Sequence, residues 1–232
     1  SCTYPDNGDY SLSFDGVDDW VEIPNSINFD NPSQNYSISI DFNLHDLYES
    51  KQCLINSGPH TYIALEYNAP TGNMRYLIGT EDNSWILDVG GIKTDYKANR
   101  LYNLTTLKVG DDYSFYINGE LDASATVVIP SNESQVTSLY IDSLEHEGSW
   151  GTHANYKYFN RFIDNLIIEI DNLELGHYKF NAGSGTTLYD HSGNQNHGTI
   201  NGATWVENIA GCTDSDANNY DETAYVDDGS CT

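Results

Sequence analysis

Positive charge is what this sequence has least of. Nine Lys plus Arg stand against 35 Asp plus Glu, a formal net charge of −26 over 232 residues. A surface of that sign repels nucleic acid phosphates and anionic lipid, so neither is expected as a partner. No apolar run is long enough to span a bilayer, and no membrane insertion is expected. Cysteine is sparse: Cys2, Cys53, Cys212 and Cys231 are the four. None lies in a Cys-x-x-Cys pair, which argues against the common zinc and redox motifs. A Gly-x-Ser-x-Gly elbow, a phosphate-binding loop and a dinucleotide fingerprint are all absent. So is a signal peptide, and the chain begins at Ser1 without Met, as expected of a fragment or a mature form.

What is abundant is carboxylate, tyrosine and alternation. Clustered carboxylates are hard oxygen ligands that suit Ca²⁺, and they also keep a protein soluble in salt. The 18 Tyr suit strands and also surfaces that stack on sugars. Tyr36-Ser-Ile38-Ser-Ile40-Asp-Phe42-Asn-Leu44 alternates apolar and polar over nine residues, the period of a half-buried strand. Tyr113, Phe115 and Ile117 alternate and run into Asn118-Gly119, a pair that supplies the positive φ angles of a tight hairpin turn. About a dozen short strands follow from the same pattern, among them Val127–Ile129, Phe162–Ile170 and His177–Phe180. The fold class expected is all-β, a two-sheet antiparallel jelly-roll sandwich. Residues 209–232 differ in texture: they are acidic, nearly strand-free and bracketed by cysteine. The boundaries expected are therefore 1–208 for the sandwich and 209–232 for a small appended unit. Ser1-Cys2-Thr3 recurs as Ser230-Cys231-Thr232, as in a chain cut from a longer array.

Three motifs carry a family resemblance. The run from Leu12 through Asp15-Gly16-Val17-Asp18-Asp19-Trp20 to Pro24 resembles the opening strand pair of laminin-G-like, concanavalin-A-like jelly rolls. Phe115–Leu121 is similar to that family's central hairpin, and Phe162–Ile168 to its closing strand. The segment Tyr178–Trp205 resembles one usually found at the edge of such domains; it is expected to complete this sandwich, the alternative being that it opens another. The run from Gly211 to Cys231 closely resembles a cysteine-bracketed repeat that recurs in large secreted proteins, notably of marine bacteria. That likeness implies a Cys212–Cys231 bond in a secreted or cell-surface setting, closing a unit too small to own a core. Cys2 is then either unpaired or bonded to Cys53.

The sandwich resemblance implies a calcium ion tying the first strand to the last, which points to Asp15 with Gly16 and to Asp164. Asp190, Asn194 and Asn196, closely spaced in a Gly-rich loop, form a second calcium candidate, with ordinary turn chemistry as the competing reading. The loop holding Glu147, Trp150, His153 and Tyr156 is the candidate ligand-binding loop, because its Trp lies between small residues in a polar segment and suits a sugar ring. Trp85, Tyr62, Tyr67 and Tyr76 are read as packing residues of mid-chain strands. Glu169-Ile170-Asp171-Asn172-Leu173-Glu174 mimics the strand of laminarinase-type glycoside hydrolases, which holds a nucleophile and an acid/base. It falls at the end of the closing strand, and catalysis is not expected. The function expected is a non-catalytic, calcium-stabilised carbohydrate-binding or adhesion module that binds a surface glycan and abuts neighbouring modules of the same array. A purely structural repeat and a glycoside hydrolase are the alternatives.

Overall fold

The structure is a computed structural model that describes residues 4–24, 29, 33–44, 47, 51–57, 63–79, 85–129, 139–141, 156, 157, 159–214, 216–224 and 226–232. Its strands, in chain order, begin with β1 (Tyr10–Asp15), β2 (Trp20–Ile23), β3 (Tyr36–Asn43), β4 (Lys51–Ser57), β5 (Ile63–Asn68), β6 (Asn73–Gly79) and β7 (Trp85–Gly90). Next come β8 (Leu101–Val109), β9 (Asp112–Ile117), β10 (Glu120–Thr126), β11 (Leu139–Ile141), β12 (Tyr156–Lys157) and β13 (Asn160–Ile170). The last are β14 (Leu173–Tyr178), β15 (Thr187–Leu188), β16 (Gly198–Asn201), β17 (Thr204–Glu207), β18 (Ala210–Gly211) and β19 (Val226–Asp227).

Two large sheets form the expected jelly-roll sandwich. One runs β10-β9-β8-β3-β13-β1-β17, with β14 also on β13. The other runs β15-β16-β2-β11-β4-β5-β6-β7, with β12 also on β4. Alternation decides which side chains meet between them. Leu12, Phe14, Ile38, Ile40, Phe42 and Ile163 point inward from the first sheet, and Val21, Ile23, Leu65 and Ile78 from the second, all buried. Tyr67 and Tyr76 are core residues as expected, and the Tyr36 and Tyr76 hydroxyls hydrogen-bond to each other inside the sandwich at 2.5 Å. Trp85 is half-buried on the edge strand β7, and Tyr62 lies outside the described residues. Among the described residues no helix is long and apolar enough to cross a membrane.

Two tight turns follow from residue chemistry. Asn118 and Gly119 take φ of 52° and 79° between β9 and β10, the mirror-image turn that Asn-Gly favours. Asp171 and Asn172 do the same between β13 and β14, at 50° and 63°. The Tyr178–Trp205 segment completes this sandwich: β14 extends from β13, β16 pairs with β2, and β17 pairs with β1. Val127–Ile129 is not a strand. Its partner β9 begins at Asp112, so after Val127 N donates to Asp111 O the ladder has nothing left to pair with. Strand β14 stops at Tyr178 before the expected Phe180, which adopts φ 53°. Beyond Glu207, β18 and β19 pair only with each other, in parallel, and the Cys212–Cys231 disulfide closes that unit.

Candidate functional site

Asp15 ends β1 and Asp19 precedes β2, so the turn between them carries Asp15, Asp18 and Asp19 on a few residues. Gly16 makes this possible: it takes φ 77°, and a Cβ there would sit 3.0 Å from the Asn160 side chain. Asp15 Oδ1 accepts from Val17 N at 2.8 Å, and Asp19 Oδ2 accepts from Asp15 N at 2.9 Å. One carboxylate oxygen from each of Asp15, Asp18 and Asp19 lies within 4.8 Å of the others. Oxygens sharing one Ca²⁺ at about 2.4 Å stand at most about 5 Å apart, so the donor set fits a hard cation. Asp19 is buried, and burial raises its carboxyl above the ordinary range; the charges of Asp15 and Asp18 add to this, while the bond from Asp15 N opposes it. Asp18 and Asp19 were not singled out from sequence, although the Asp-Gly-Val-Asp-Asp run was visible.

Asp164 is not brought to this turn. The β1–β13 register pairs Asp15 with Asn160 and Leu12 with Ile163, which sets Asp15 and Asp164 four residues apart along the ladder, about 13 Å at strand rise. Asp164 instead faces Asp41 directly across β13 and β3. A bulge at Asn165, φ 44°, turns that residue back onto the pair. Asn165 N donates to Asp164 Oδ1 at 2.7 Å and Asn103 Nδ2 to Asp41 Oδ1 at 2.7 Å. Asn208 Nδ2 reaches Asp164 Oδ2 at 3.1 Å and Asp9 Oδ1 at 2.7 Å, while Ser11 Oγ donates to Asn208 Oδ1. Burial pushes the Asp164 carboxyl up to about 7, and the Asp41 and Asp9 charges act in the same direction against the two hydrogen bonds.

The second calcium candidate is occupied by the chain's own donors. Asp190 is fully buried. Its Oδ1 accepts from His177 N and Ser192 N, and its Oδ2 from Ser192 Oγ and Asn196 N, each at 2.9 Å. Burial alone would raise this carboxyl, but the four donors outweigh burial and hold it below the ordinary range. Asn194 Nδ2 and Asn196 Nδ2 donate to Leu175 O at 3.3 and 2.7 Å. The loop is thus a hydrogen-bonded lock for β14.

Glu147, Trp150 and His153 lie outside the described residues. Tyr156 falls in β12, which pairs in parallel with β4, and its side chain is likewise not described. Cys2 is also outside; Cys53 is buried, its Sγ 3.4 Å from Ile55 O. The laminarinase-like run does not form the strand it mimics. The hairpin turn at Asp171-Asn172 folds it in half, so that Glu169 pairs with Glu174 on exposed, antiparallel arms. Ser37 Oγ holds Glu169 Oε2 at 2.8 Å. The most buried carboxylate of the second sheet, Glu66, is held by Arg75 at 2.7 Å and approached by Lys51 at 3.8 Å.

A sequence profile described as the concanavalin A-like lectin/glucanases superfamily, of laminin G type, matches residues 15–168. No curated protein matches the chain by sequence. Among solved structures, a Bacteroides ovatus protein proposed to bind carbohydrate superposes with a TM-score of 0.59 at 13% identity, over 87% of this chain and 60% of that one. The LG1-3 region of the laminin alpha2 chain gives 0.57 at 13% identity, over 91% and 37%. Domains LG4-5 of the mouse laminin alpha1 chain give 0.53 at 13% identity, over 75% and 45%. The chain thus spans less than two thirds of each of these structures, and the likeness is one of fold.

Proposed function

The chain belongs to the concanavalin A-like lectin/glucanases superfamily, and from that premise we propose that it is a non-catalytic glycan-binding module of a larger secreted or cell-surface protein. The observation that carries this choice within a superfamily of lectins and glucanases is the folding of the glucanase-like run. Its Glu169 and Glu174 end up on the two exposed arms of a tight hairpin, whereas glycosidic cleavage needs two carboxylates flanking a bound sugar. The Cys212–Cys231 bond supports an oxidising, extracytoplasmic setting. Residues 1–208 form the sandwich, and residues 209–232 form a separate unit that serves as a joint to neighbouring modules. Asp15, Asp18 and Asp19 hold a calcium ion that fixes the β1–β2 turn; bound there, it supplies only charge neutralisation and geometry.

The test is a thermal melt in calcium and in chelator, repeated with soluble plant and marine polysaccharides. Calcium is expected to raise the melting temperature, and at least one polysaccharide to raise it further, without release of reducing sugar. A calcium response with no polysaccharide response would replace glycan binding by a structural repeat. Reducing sugar released by the wild type and lost in Glu169→Gln would restore the hydrolase.

A further inference from the structure

Lys97 and Arg100 sit on the turn that leads into β8, and both are exposed. Neither forms an ion pair with a described residue, in a chain holding only nine Lys plus Arg. Opposite them stands the disulfide-closed unit, with Asp214, Asp216, Asp227 and the ring of Tyr220. These six are among the residues that line a cleft of about 350 Å³, within the size range of small-molecule sites. Both walls are fixed in advance. Lys97 N donates to the Tyr102 hydroxyl at 2.8 Å, and Asn99 N to Leu44 O at 2.8 Å. Across the cleft, Asp214 Oδ1 accepts from Asp216 N at 3.0 Å, Asp227 Oδ1 accepts from Gly229 N at 3.0 Å, and Asn219 ties Ser230 to Thr232. The Cys212–Cys231 bond closes the same wall. Tyr220 is 39% exposed, and among the described residues its hydroxyl makes no hydrogen bond.

The lining selects its ligand by elimination. An apolar ligand would strand two cations and three carboxylates. A polyanion meets Asp214, Asp216 and Asp227 within a surface already at −26, and a bare cation meets Lys97 and Arg100. A hydroxyl suits both walls, because it donates to a carboxylate and accepts from an ammonium or guanidinium. The C–H face of a pyranose covers an aromatic ring. We infer that this cleft, between the Lys97–Arg100 turn and the disulfide-closed unit, is the site that takes a neutral oligosaccharide. The inference rests on the glycan-binding reading above and gives it a place and a charge class. It also assigns the small unit a role in recognition as well as in joining modules.

The full chain, Tyr220→Ala and Arg100→Ala are compared by affinity electrophoresis and calorimetry against laminarin, arabinoxylan, galactomannan and alginate. The two variants change opposite walls, and circular dichroism checks that each is folded. The expected result is binding of at least one neutral polysaccharide, weakened at least tenfold in both variants. Wild-type affinity in both variants would overturn the cleft and leave the glycan-binding reading standing. No binding of any polysaccharide by the wild type would overturn that reading and the cleft together. Binding of alginate alone, lost in Arg100→Ala and kept in Tyr220→Ala, would overturn the neutral ligand.

Discussion

Replacing Asp164 by Asn tests the electrostatics of the first sheet. Asp164 and Asp41 face each other across β13 and β3, an arrangement in which like charges repel. Burial, with the Asp41 and Asp9 charges, pushes the Asp164 carboxyl up to about 7 from an ordinary 3.8. Burial likewise raises Asp41, against hydrogen bonds from Asn103 and Asn165. Between those two pH values the folded chain keeps a proton that the unfolded chain has lost, so stability falls as pH rises. The contribution is fully present below about pH 4 and lost once the pH passes about 7. At about 1.36 kcal/mol per pH unit the whole span is about 4 kcal/mol. Partial solvent contact and coupling to Asp41 reduce it to about 2 kcal/mol. Asp164→Asn keeps the shape and removes the ionisation. The part of that span between pH 5 and pH 8 is about 60% of it, so urea unfolding at those two pH values, in chelator, is expected to show the wild type losing about 1.2 kcal/mol more than the variant. Parallel pH dependence in the two proteins would refute the raised carboxyl. A variant less stable than wild type at pH 8 would show that ionised Asp164 makes a favourable contact instead of an unfavourable one.

Two further substitutions probe the turns that hold the sandwich ends. In Gly202→Ala the new Cβ would lie 2.0 Å from Asp19 Oδ1, at φ 80°; a loss of about 1–3 kcal/mol is expected in urea unfolding, and unchanged stability would mean that Asp19 does not pack against this turn. Asp190→Ala removes the acceptor for four donors and is expected to cost about 2–4 kcal/mol. Hydrogen exchange should then show faster exchange at the His177 and Asn196 amides, and unchanged protection there would mean that the loop is held by other contacts.

The fold was legible because its signals are local. Alternation along Tyr36–Leu44 and the Asn118-Gly119 pair need no knowledge of distant residues, and both appear as β3 and the β9–β10 turn. Val127–Ile129 carries the same apolar signal but no strand, because strand formation also requires a partner and β9 has already ended. Phe180 fails differently: its apolar side chain is buried as expected, while its backbone turns out of the ladder at φ 53°. Val127 and Ile129 are half-buried and Val128 is exposed, so there the apolar signal overstated burial as well as pairing, whereas at Phe180 it misled only about the backbone.

Site geometry was less legible, because it depends on register. Asp15 and Asp164 both belong to paired strands, as the family resemblance implied, yet a four-residue offset in one ladder separates them. The same ladders bring Asp164 to Asp41 and, through Asn208, to Asp9, contacts spanning 124 residues between Asn165 and Asp41 and 199 between Asn208 and Asp9. No local pattern encodes such a meeting, whereas the Asp15-Asp18-Asp19 cluster spans one turn and was open to a closer reading of spacing. In a chain so poor in Lys and Arg, each cation that makes no described ion pair marks a place where the acidic surface is interrupted. Arg75 and Lys51 are spent on the buried Glu66, and Lys93 on Asp95. Lys97, Arg100 and the exposed Lys179 make no described ion pair, and of these Lys97 and Arg100 line the cleft against the disulfide-closed unit. The cleft, more than the scarcity of one charge, is what separates Lys97 and Arg100 from Lys179.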